Sequence, residues 1–307
     1  MAQDKLVYII VLNFNGYKDT IDCIRSIFKS TYLNYKVIIV DNYSDDSSVT
    51  KLQKYISSIN ISYHFCKFSD DMNNLDHKIT LIESEKNLGY AGGNNIGLKY
   101  ALKDRKFSYV WILNNDTIVS EDSLFNLISN SNDSTVYGCK IINYNNSKKI
   151  ESLGGRINKL FLTTKHNHSN KVNSKLSKDI KQIDYIHGTS MFMHRKVIEK
   201  LGLLDESYFM YYEDVDYSIR ALNNGYRLAV NQDSEVFHNS NYKKYINSKK
   251  SILRKIYPVV NRYRLSKKHY KHLRFVVLLG IILAILKRIF TFRIKESILI
   301  IKYLLKI

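Results

Sequence analysis

The sequence has few of the residues that mark several protein classes. Its 307 residues include one proline and three cysteines, so a proline-rich linker is excluded. Cys23, Cys66 and Cys139 lie far apart and form no CxxC pair, which argues against a zinc knuckle or a disulfide scaffold. We therefore expect buried or neutral thiols in a protein of a reducing compartment.

Acidic residues are almost absent from the C-terminal part of the chain. Residues 241–307 contain 18 Lys and Arg but one acid, Glu296, and carry a net charge of +17. Residues 1–240 contain 29 basic and 27 acidic side chains, a net charge of +2. This asymmetry excludes a uniformly basic nucleic-acid binder. It predicts a near-neutral globular domain at 1–240 and a basic tail at 241–307.

Strand-like and helix-like segments alternate in the first half of the chain. Four apolar segments rich in β-forming residues predict buried parallel strands: residues 6–12, 36–40, 79–83 and 109–113. Helical spacing of apolar residues follows at 17–29 and 96–102. This alternation predicts an α/β fold, a Rossmann-like, mostly parallel sheet flanked by helices.

Polar loops follow all four predicted strands: residues 13–16, 41–46, 87–95 and 114–116. Because ligands bind at the carboxyl ends of strands in open α/β sheets, these loops should converge on one cleft.

The second half of the body is less regular. Two further helices are expected, at 196–201 and 213–223. The expected strands are residues 137–142, 157–163, 183–195, 227–230 and 235–237.

Two polar motifs carry carboxylates. Asp116, in the sequence Asn-Asn-Asp after a buried strand, suits a divalent cation, because Mg²⁺ needs only one or two protein carboxylates beside phosphate and water. An Asx-type turn explains the same residues equally well. Glu213, Asp214 and Asp216 crowd a helix start, where the helix dipole favours acids by about 0.3–1 kcal/mol each. Mutual repulsion of crowded carboxylates also suits one of them to general-base work.

Two further features are weak when taken alone. The glycines of residues 87–95 have Gly-x-x-Gly-Gly spacing, not the dinucleotide fingerprint. A tight turn is the simpler explanation, although such a stretch entering a helix can also admit a diphosphate. His238 follows a predicted strand, and a lone histidine is more often structural than a metal ligand.

In their order along the chain, six segments resemble the family 2 inverting glycosyltransferases with the GT-A fold. The resemblance is greatest to the rhamnosyltransferase-like branch, which builds bacterial surface polysaccharides, and covers roughly residues 5–265. The segments are Val7–Gly16, Val40–Asp46, Asn87–Asn95, Leu113–Thr117, Gly188–Arg195 and Asp205–Arg220.

The resemblance implies a role for each matching residue. Asp214 matches the catalytic base, with Glu213 and Asp216 on the acceptor side. Asp116 and His238 match the positions that hold a divalent cation, Mg²⁺ or Mn²⁺. The donor-binding positions are Leu12, Asn13, Asn15, Asp41, Ser44, Gly89, Asn94, Asn114, Asn115 and Asp116.

The resemblance also implies a reaction and its partners. The expected reaction moves a sugar, rhamnose or another, from a dTDP- or UDP-sugar to a lipid-linked glycan in cell-surface polysaccharide synthesis. A non-catalytic sugar-nucleotide or polysaccharide-binding protein of the same fold is the alternative. An NAD-dependent dehydrogenase is less favoured, because its glycine spacing is absent.

The basic tail contains two short apolar segments, residues 275–286 and 297–307. A membrane-spanning helix needs about 20 apolar residues, so short segments between basic clusters favour helices that lie in a membrane interface. We expect peripheral attachment to an anionic membrane surface on the cytoplasmic face, with residues 261–271 at the headgroups. A buried C-terminal helix or a homodimer contact is the alternative. RNA binding would leave the apolar segments unexplained, so no nucleic-acid partner is expected.

Overall fold

The computed structural model describes residues 4–70, 73–173, 182–239 and 249–307. Contacts divide them into two compact units. The first unit contains residues 4–155, 166–209 and 213–239. The second unit contains residues 156–165, 210–212 and 249–307. The predicted boundary at residue 240 lies outside the described residues and stays a prediction.

Most strands of the described chain belong to the first unit. In chain order they are β1 Leu6–Asn13, β2 Tyr35–Asp41, β3 Tyr63–Lys67, β4 Ile79–Glu83, β5 Phe107–Asn114, β6 Thr117–Val119, β7 Thr135–Asn143, β8 Ile150–Ser152, β9 Gly155–Ile157, β10 Thr164–His166, β11 Ser190–His194 and β12 Arg227–His238. The main sheet has the order β3-β4-β2-β1-β5-β11-β7-β12-β6, with β8 beside β7. Strands β9 and β10 form a separate pair.

The sheet is parallel from β3 through β5 and mixed beyond it. Strands β3, β4, β2, β1 and β5 all run in one direction, and β11 is antiparallel to β5. The predicted α/β fold with a mostly parallel sheet is therefore confirmed. Parallel register pairs Asn13 with Asp41, and Leu12 with Asn114, which brings the polar strand ends to one edge.

Helices cover both faces of the sheet. They are α1 Tyr17–Ile27, α2 Ser48–Ser58, α3 Gly89–Lys103, α4 Ser123–Ser129, α5 Arg195–Leu201 and α6 Glu213–Asn223. On one face Ile24 and Leu52 pack in a core with Ile9 of β1. On the other face Leu98 and Tyr217 share a core with Ile10. Fully burying such a side chain contributes about 1.5–3 kcal/mol, so both faces of β1 anchor helices.

The glycine-rich stretch is helical, and the expectation of a tight turn there is wrong. Helix α3 begins at Gly89. A Cβ at Gly93 would lie 2.4 Å from Leu12 Cδ1, and one at Gly97 would lie 2.7 Å from Ile10 Cγ2. Each helical glycine costs about 1 kcal/mol relative to alanine. The close approach of α3 to β1 offsets that cost.

Several expected strands differ in length. Strand β11 covers only Ser190–His194, because the amides of Ile186 and Gly188 bond to side chains of α6 instead of a strand. The expected strand at 157–163 ends at Ile157, and Leu162 has a left-handed φ of 53°. The two strands expected at 227–230 and 235–237 are one strand, β12, interrupted by a bulge.

The second unit consists mainly of helices, and the sequence predicted a helical tail in this part of the chain. They are α7 Lys249–His269, α8 Arg274–Phe290 and α9 Ile294–Leu304. Their shared core includes Ile256, Val277, Ile281 and Ile300. The lone acid Glu296 is buried and paired with Arg288 and Arg293.

The surface of the second unit differs in part from the expectation. Four residues of 261–271 are buried: Asn261, Arg262, Leu265 and Ser266. The expectation that residues 261–271 lie together at lipid headgroups is therefore wrong for these four. Large apolar side chains are exposed on α8 and just after it, including Phe275 at 80% and Phe292 at 91%. None of the helices described is both long and apolar enough to cross a bilayer.

Candidate functional site

Four polar side chains at the ends of β1 and β2 form what we call the strand-end network: Asn13, Asn15, Asp41 and Ser44. Asp41 accepts hydrogen bonds from Asn13 Nδ2 at 2.6 Å and from Ser44 Oγ at 2.7 Å. The backbone amide of Ser44 donates to the other Asp41 oxygen at 2.9 Å, and the Asn15 amide donates to Ser44 Oγ at 2.9 Å. The two loops are thus locked together.

The loop after β4 is bound to this edge by Asn42, which follows β2. The Asn42 side chain donates to Gly89 O at 2.9 Å and accepts from Leu88 N at 2.9 Å. Gly89 has φ +71°, and a Cβ there would lie 2.1 Å from Phe209 O. Only glycine therefore fits the start of α3. Leu12 packs against this helix at Gly93, and Asn94 is fully buried one residue further on.

The residues after β5 complete the edge. Asn115 Nδ2 donates to Thr20 Oγ1 at 3.0 Å and to Gly16 O at 3.3 Å. The Asn114 amide donates to Thr189 O at 3.0 Å. The expectation that the four loops converge is therefore confirmed by their hydrogen bonds. The donor-binding roles of these residues stay predictions.

Asp116 and His238 lie side by side, and a third residue contacts His238; the predicted metal-binding role of the first two stays a prediction. His238 Nε2 lies 3.2 Å from Asp116 Oδ1, and His238 Nδ1 lies 2.7 Å from Glu151 Oε1. Burial alone would lower the pKa of His238, but the two carboxylates outweigh burial and raise it to about 10. Glu151 was missed from the sequence, because it is a single acid in an irregular segment with no neighbouring pattern.

Two more buried histidines lie beside this group. The His187 ring centroid is 6.5 Å from that of His238 and 4.4 Å from that of His166. Burial lowers the pKa of both His166 and His187. These two rings are therefore neutral at pH 7, unlike His238.

Asp116 and His238 suit a cation that is held mainly by the phosphate oxygens of a bound nucleotide and by water. In the described part of the chain, no three His, Cys, Asp or Glu side chains are arranged to hold a metal on their own. Asp116 is partly exposed and stands beside one imidazole. One carboxylate and one imidazole, completed by phosphate oxygens and water, are a suitable donor set for Mg²⁺ or Mn²⁺.

Three acids at the start of α6 form what we call the acidic helix start: Glu213, Asp214 and Asp216. Asp214 is half-buried and accepts from Gly188 N and Val215 N, both at 2.8 Å. Asp216 is fully buried and bonded to Arg220 Nε at 2.8 Å. This ion pair gives Asp216 a structural contact, and its acceptor-side role stays a prediction.

Glu213 and Asp214 both have raised pKa values. Burial raises the pKa of Asp214 to about 6, against the lowering effect of the Gly188 and Val215 amides. Burial and the Asp214 charge raise the pKa of Glu213 well above its usual value. Glu213 Oε2 has no hydrogen-bond partner among the described residues. Burial therefore favours the protonated form of Glu213, beside an Asp214 whose pKa is about 6.

Tyr90 connects the acidic helix start with Asp116. Its hydroxyl donates to Gly188 O, one peptide unit from the amide that holds Asp214. Burial raises the pKa of Tyr90, and the charges of Glu213, Asp214 and Asp116 raise it further. Both carboxylate groups therefore act on one phenol at the same edge of the sheet. No pattern in the sequence marks Tyr90 beyond its place in the glycine-rich stretch.

Comparison with protein families gives two matches. The model of Glycosyl transferase family 2 matches residues 8–202. The model of Glycosyl transferase family group 2 matches residues 109–305. The first match spans β1 to α5. The second match begins within β5 and covers the acidic helix start and the helices at Lys249–His269, Arg274–Phe290 and Ile294–Leu304.

One curated relative is the low-salt glycan biosynthesis hexosyltransferase Agl10 of Haloferax volcanii. It is 26% identical over 238 residues, which are 75% of this chain and 66% of that protein. The chain thus spans just under two thirds of that relative's length.

Solved structures share the fold at low sequence identity. GalNAc-T7 with UDP, GalNAc and Mn²⁺ has a TM-score of 0.64 at 17% identity, over 87% of this chain and 49% of that chain. The Pyrobaculum calidifontis mannosyltransferase PcManGT with GDP-Man and Mn²⁺ has a TM-score of 0.56 at 14% identity, over 96% of this chain and 78% of that chain. The expected GT-A fold is confirmed by these likenesses.

Proposed function

The chain belongs to glycosyl transferase family 2, and we propose that it transfers a sugar from a nucleotide-diphospho-sugar to an acceptor hydroxyl with inversion. The observation that carries the proposal is a pair of hydrogen bonds at one edge of the sheet: the Asn114 amide donates to Thr189 O, and the neighbouring Gly188 amide donates to Asp214. We assign Asp116, two residues after Asn114, to the cation that a leaving diphosphate needs. We assign Asp214, whose pKa is raised to about 6, to the base. The strand-end network beside them is a suitable cradle for the nucleotide.

Asp214 is the general base of the proposed reaction. It takes the proton of the acceptor hydroxyl, whose oxygen forms a bond to the anomeric carbon from the face opposite the diphosphate. The bond between that carbon and the diphosphate oxygen breaks, and its electron pair leaves with the diphosphate. A base with a pKa near 6 is ionised at pH 7 and still basic enough to accept a proton in the transition state.

Asp116 and His238 would hold the divalent cation, and His238 would lose its Nε2 proton on binding it, because an imidazole binds a metal only in its neutral form. When bound, Mg²⁺ or Mn²⁺ stabilises the negative charge that develops on the departing diphosphate. Glu151 orients the His238 ring through Nδ1 and so directs Nε2 toward Asp116. Mn²⁺ in the two related crystal structures supports this assignment.

The donor is proposed to be a dTDP- or UDP-sugar, with rhamnose as the sugar suggested by the sequence resemblance. The acceptor is proposed to be a lipid-linked glycan on the cytoplasmic face of the membrane. The glycan-biosynthesis name of the Haloferax relative supports a glycan acceptor. Transfer to a lipid-linked acceptor also gives a reason for a surface that holds the enzyme at a bilayer.

The second unit is proposed to supply that surface. Phe275, Phe290 and Phe292 are at least 80% exposed, and 18 basic residues accompany one buried acid in residues 241–307. Exposed aromatic side chains with basic neighbours suit the interface of an anionic bilayer.

Replacing the three phenylalanines by serine should abolish flotation with anionic liposomes. Unchanged flotation, or a dimer in solution that dissociates in this variant, would contradict the membrane role.

The proposed activity is tested with a panel of nucleotide-sugars, each with and without Mn²⁺. A true donor should raise the melting temperature only when the cation is present, because ligands that bind the folded state stabilise it. With a glycan acceptor, nucleoside diphosphate should be released and the product should have the opposite anomeric configuration. Binding of a donor without any transfer would instead indicate a non-catalytic sugar-nucleotide-binding protein.

A further inference from the structure

Two consecutive tyrosines before the acidic helix start have a strained backbone. Tyr211 has φ 67° and Tyr212 has φ 74°, which is the left-handed region. Side chains larger than asparagine rarely adopt it, because Cβ crowds the following carbonyl oxygen. Two such residues in succession persist only when the surrounding structure holds them.

Asn261 of α7 holds this segment. Its Nδ2 donates to Met210 O and to Tyr211 O, both at 2.8 Å. An asparagine amide has two N–H donors, so both are used on these carbonyls. Asn261 is 2% exposed, and water cannot easily replace it. The contact lies within the second unit, to which residues 210–212 belong.

A second anchor fixes the other end of the segment. The Tyr212 hydroxyl donates to Leu162 O at 2.8 Å, and the Tyr212 side chain is 4% exposed. The next peptide bond joins Tyr212 to Glu213, the first residue of α6. The backbone conformation of residues 211 and 212 therefore sets the direction in which the chain enters the helix that carries Asp214.

The Asp214 carboxylate has little freedom to absorb a shift of this helix start. It is held by the amide of Gly188 at 2.8 Å, and a Cβ at Gly188 would lie 3.3 Å from Asp214 Oδ2. A displacement of about 1 Å at a reacting group can cost about 100-fold in rate. A change in the path of residues 210–212 should therefore reach the base.

We propose that Asn261 is a positioning residue for sugar transfer, which acts through residues 210–212 to place Asp214. The proposal rests on the proposed function, because it assigns Asp214 the role of base. It gives the second unit a part in the chemistry as well as in attachment. A merely structural Asn261 would lower the melting temperature and leave the kcat of the folded enzyme unchanged.

The first test is steady-state kinetics of full-length Asn261→Ala. We expect kcat to fall about 10–100-fold, with the donor KM close to that of the wild type, since the strand-end network does not involve this segment. Asn261→Leu keeps the branched shape of the side chain without its hydrogen-bond donors, and it serves if the alanine variant does not fold. Ser266→Ala is the matched control, because Ser266 is buried in the same helix and its hydroxyl donates to Tyr263 O of that helix at 2.7 Å. Its kcat should not change.

The second test is rescue by Tyr211→Gly in the Asn261→Ala background. Glycine adopts positive φ readily, so the double variant should recover part of the lost kcat without any new contact to Asp214. A folded Asn261→Ala or Asn261→Leu enzyme with wild-type kcat would overturn the proposal, and so would a double variant without recovery.

A third readout needs no substrate. Hydrogen exchange of the amides of residues 213–216 should be faster in Asn261→Ala than in the wild type or in Ser266→Ala, because the start of α6 is less restrained. Equal exchange in all three proteins would overturn the proposal. If exchange is faster only in Asn261→Ala but the wild-type protein transfers no sugar, the result would count against the proposed function alone.

Discussion

The strand-end network and the acidic helix start differ in how many hydrogen bonds their buried carboxylates receive. Asp41 is fully buried but receives three hydrogen bonds from Asn13 and Ser44. Asp214 receives two, and its buried neighbour Glu213 has an oxygen without a partner in the described structure. Burial beside another acid favours proton uptake by Asp214 and Glu213. The first arrangement suits ligand binding and the second suits proton transfer.

The largest effect should come from Asp214→Asn. It removes the base and keeps the shape, so kcat should fall about 10²–10⁴-fold, the range for loss of a general base. The melting temperature should stay the same or rise, because the variant removes a buried charge. Asp22→Asn, on the exposed surface of α1, is the matched control and should change neither quantity. Near-normal turnover of Asp214→Asn would place the base elsewhere.

Asp116→Asn should have the next largest effect. The side chain would lose the charge that holds the cation, and kcat should fall about 10²–10³-fold, as when one electrostatic stabiliser of a transition state is removed. The Mn²⁺-dependent part of the donor-induced thermal shift should disappear. An unchanged Mn²⁺ requirement in this variant would show that Asp116 does not hold the cation.

Asp41→Asn should have a smaller effect, and the constant that changes should be the donor KM rather than kcat. A hydrogen bond to a charged group contributes about 1.5–3 kcal/mol, and 1.4 kcal/mol is tenfold in affinity. The donor KM should therefore rise at least about tenfold while kcat changes little. A loss of kcat with unchanged KM would remove the distinction between the two regions.

Four of the five parallel strands, β1, β2, β4 and β5, could be predicted from the sequence because each is a short apolar run that ends in polar residues. Strand β3, Tyr63–Lys67, was not predicted, because its sequence contains no such run. Helix α6 was predicted with its observed bounds, since its acids mark the start and Gly225 follows its end. The start of α3 was not predicted, because helix propensity disfavours Gly92 and Gly93. Their contacts with Leu88 and Leu12 decide the structure there.

The missed site residues share a physical cause. Glu151 lies 87 residues from its partner His238, and Asn261 lies 50 residues from Tyr211. Neither sits in a local pattern, and Asn261 is surrounded by basic residues that indicate solvent or lipid. Contacts set by tertiary packing leave no local signal, so only the structure could reveal them.

The pH dependence of kcat, measured side by side for the wild type and Glu213→Gln, tests most directly whether Asp214 is the base. For the wild type, kcat should fall on the acidic side with an apparent pKa of about 6, since protonated Asp214 cannot accept a proton. Burial and the Asp214 charge favour the protonated form of Glu213, so Glu213→Gln should remain active with the same acidic limb. Loss of transfer in Glu213→Gln, or a wild-type rate that stays constant well below pH 6, would contradict the account.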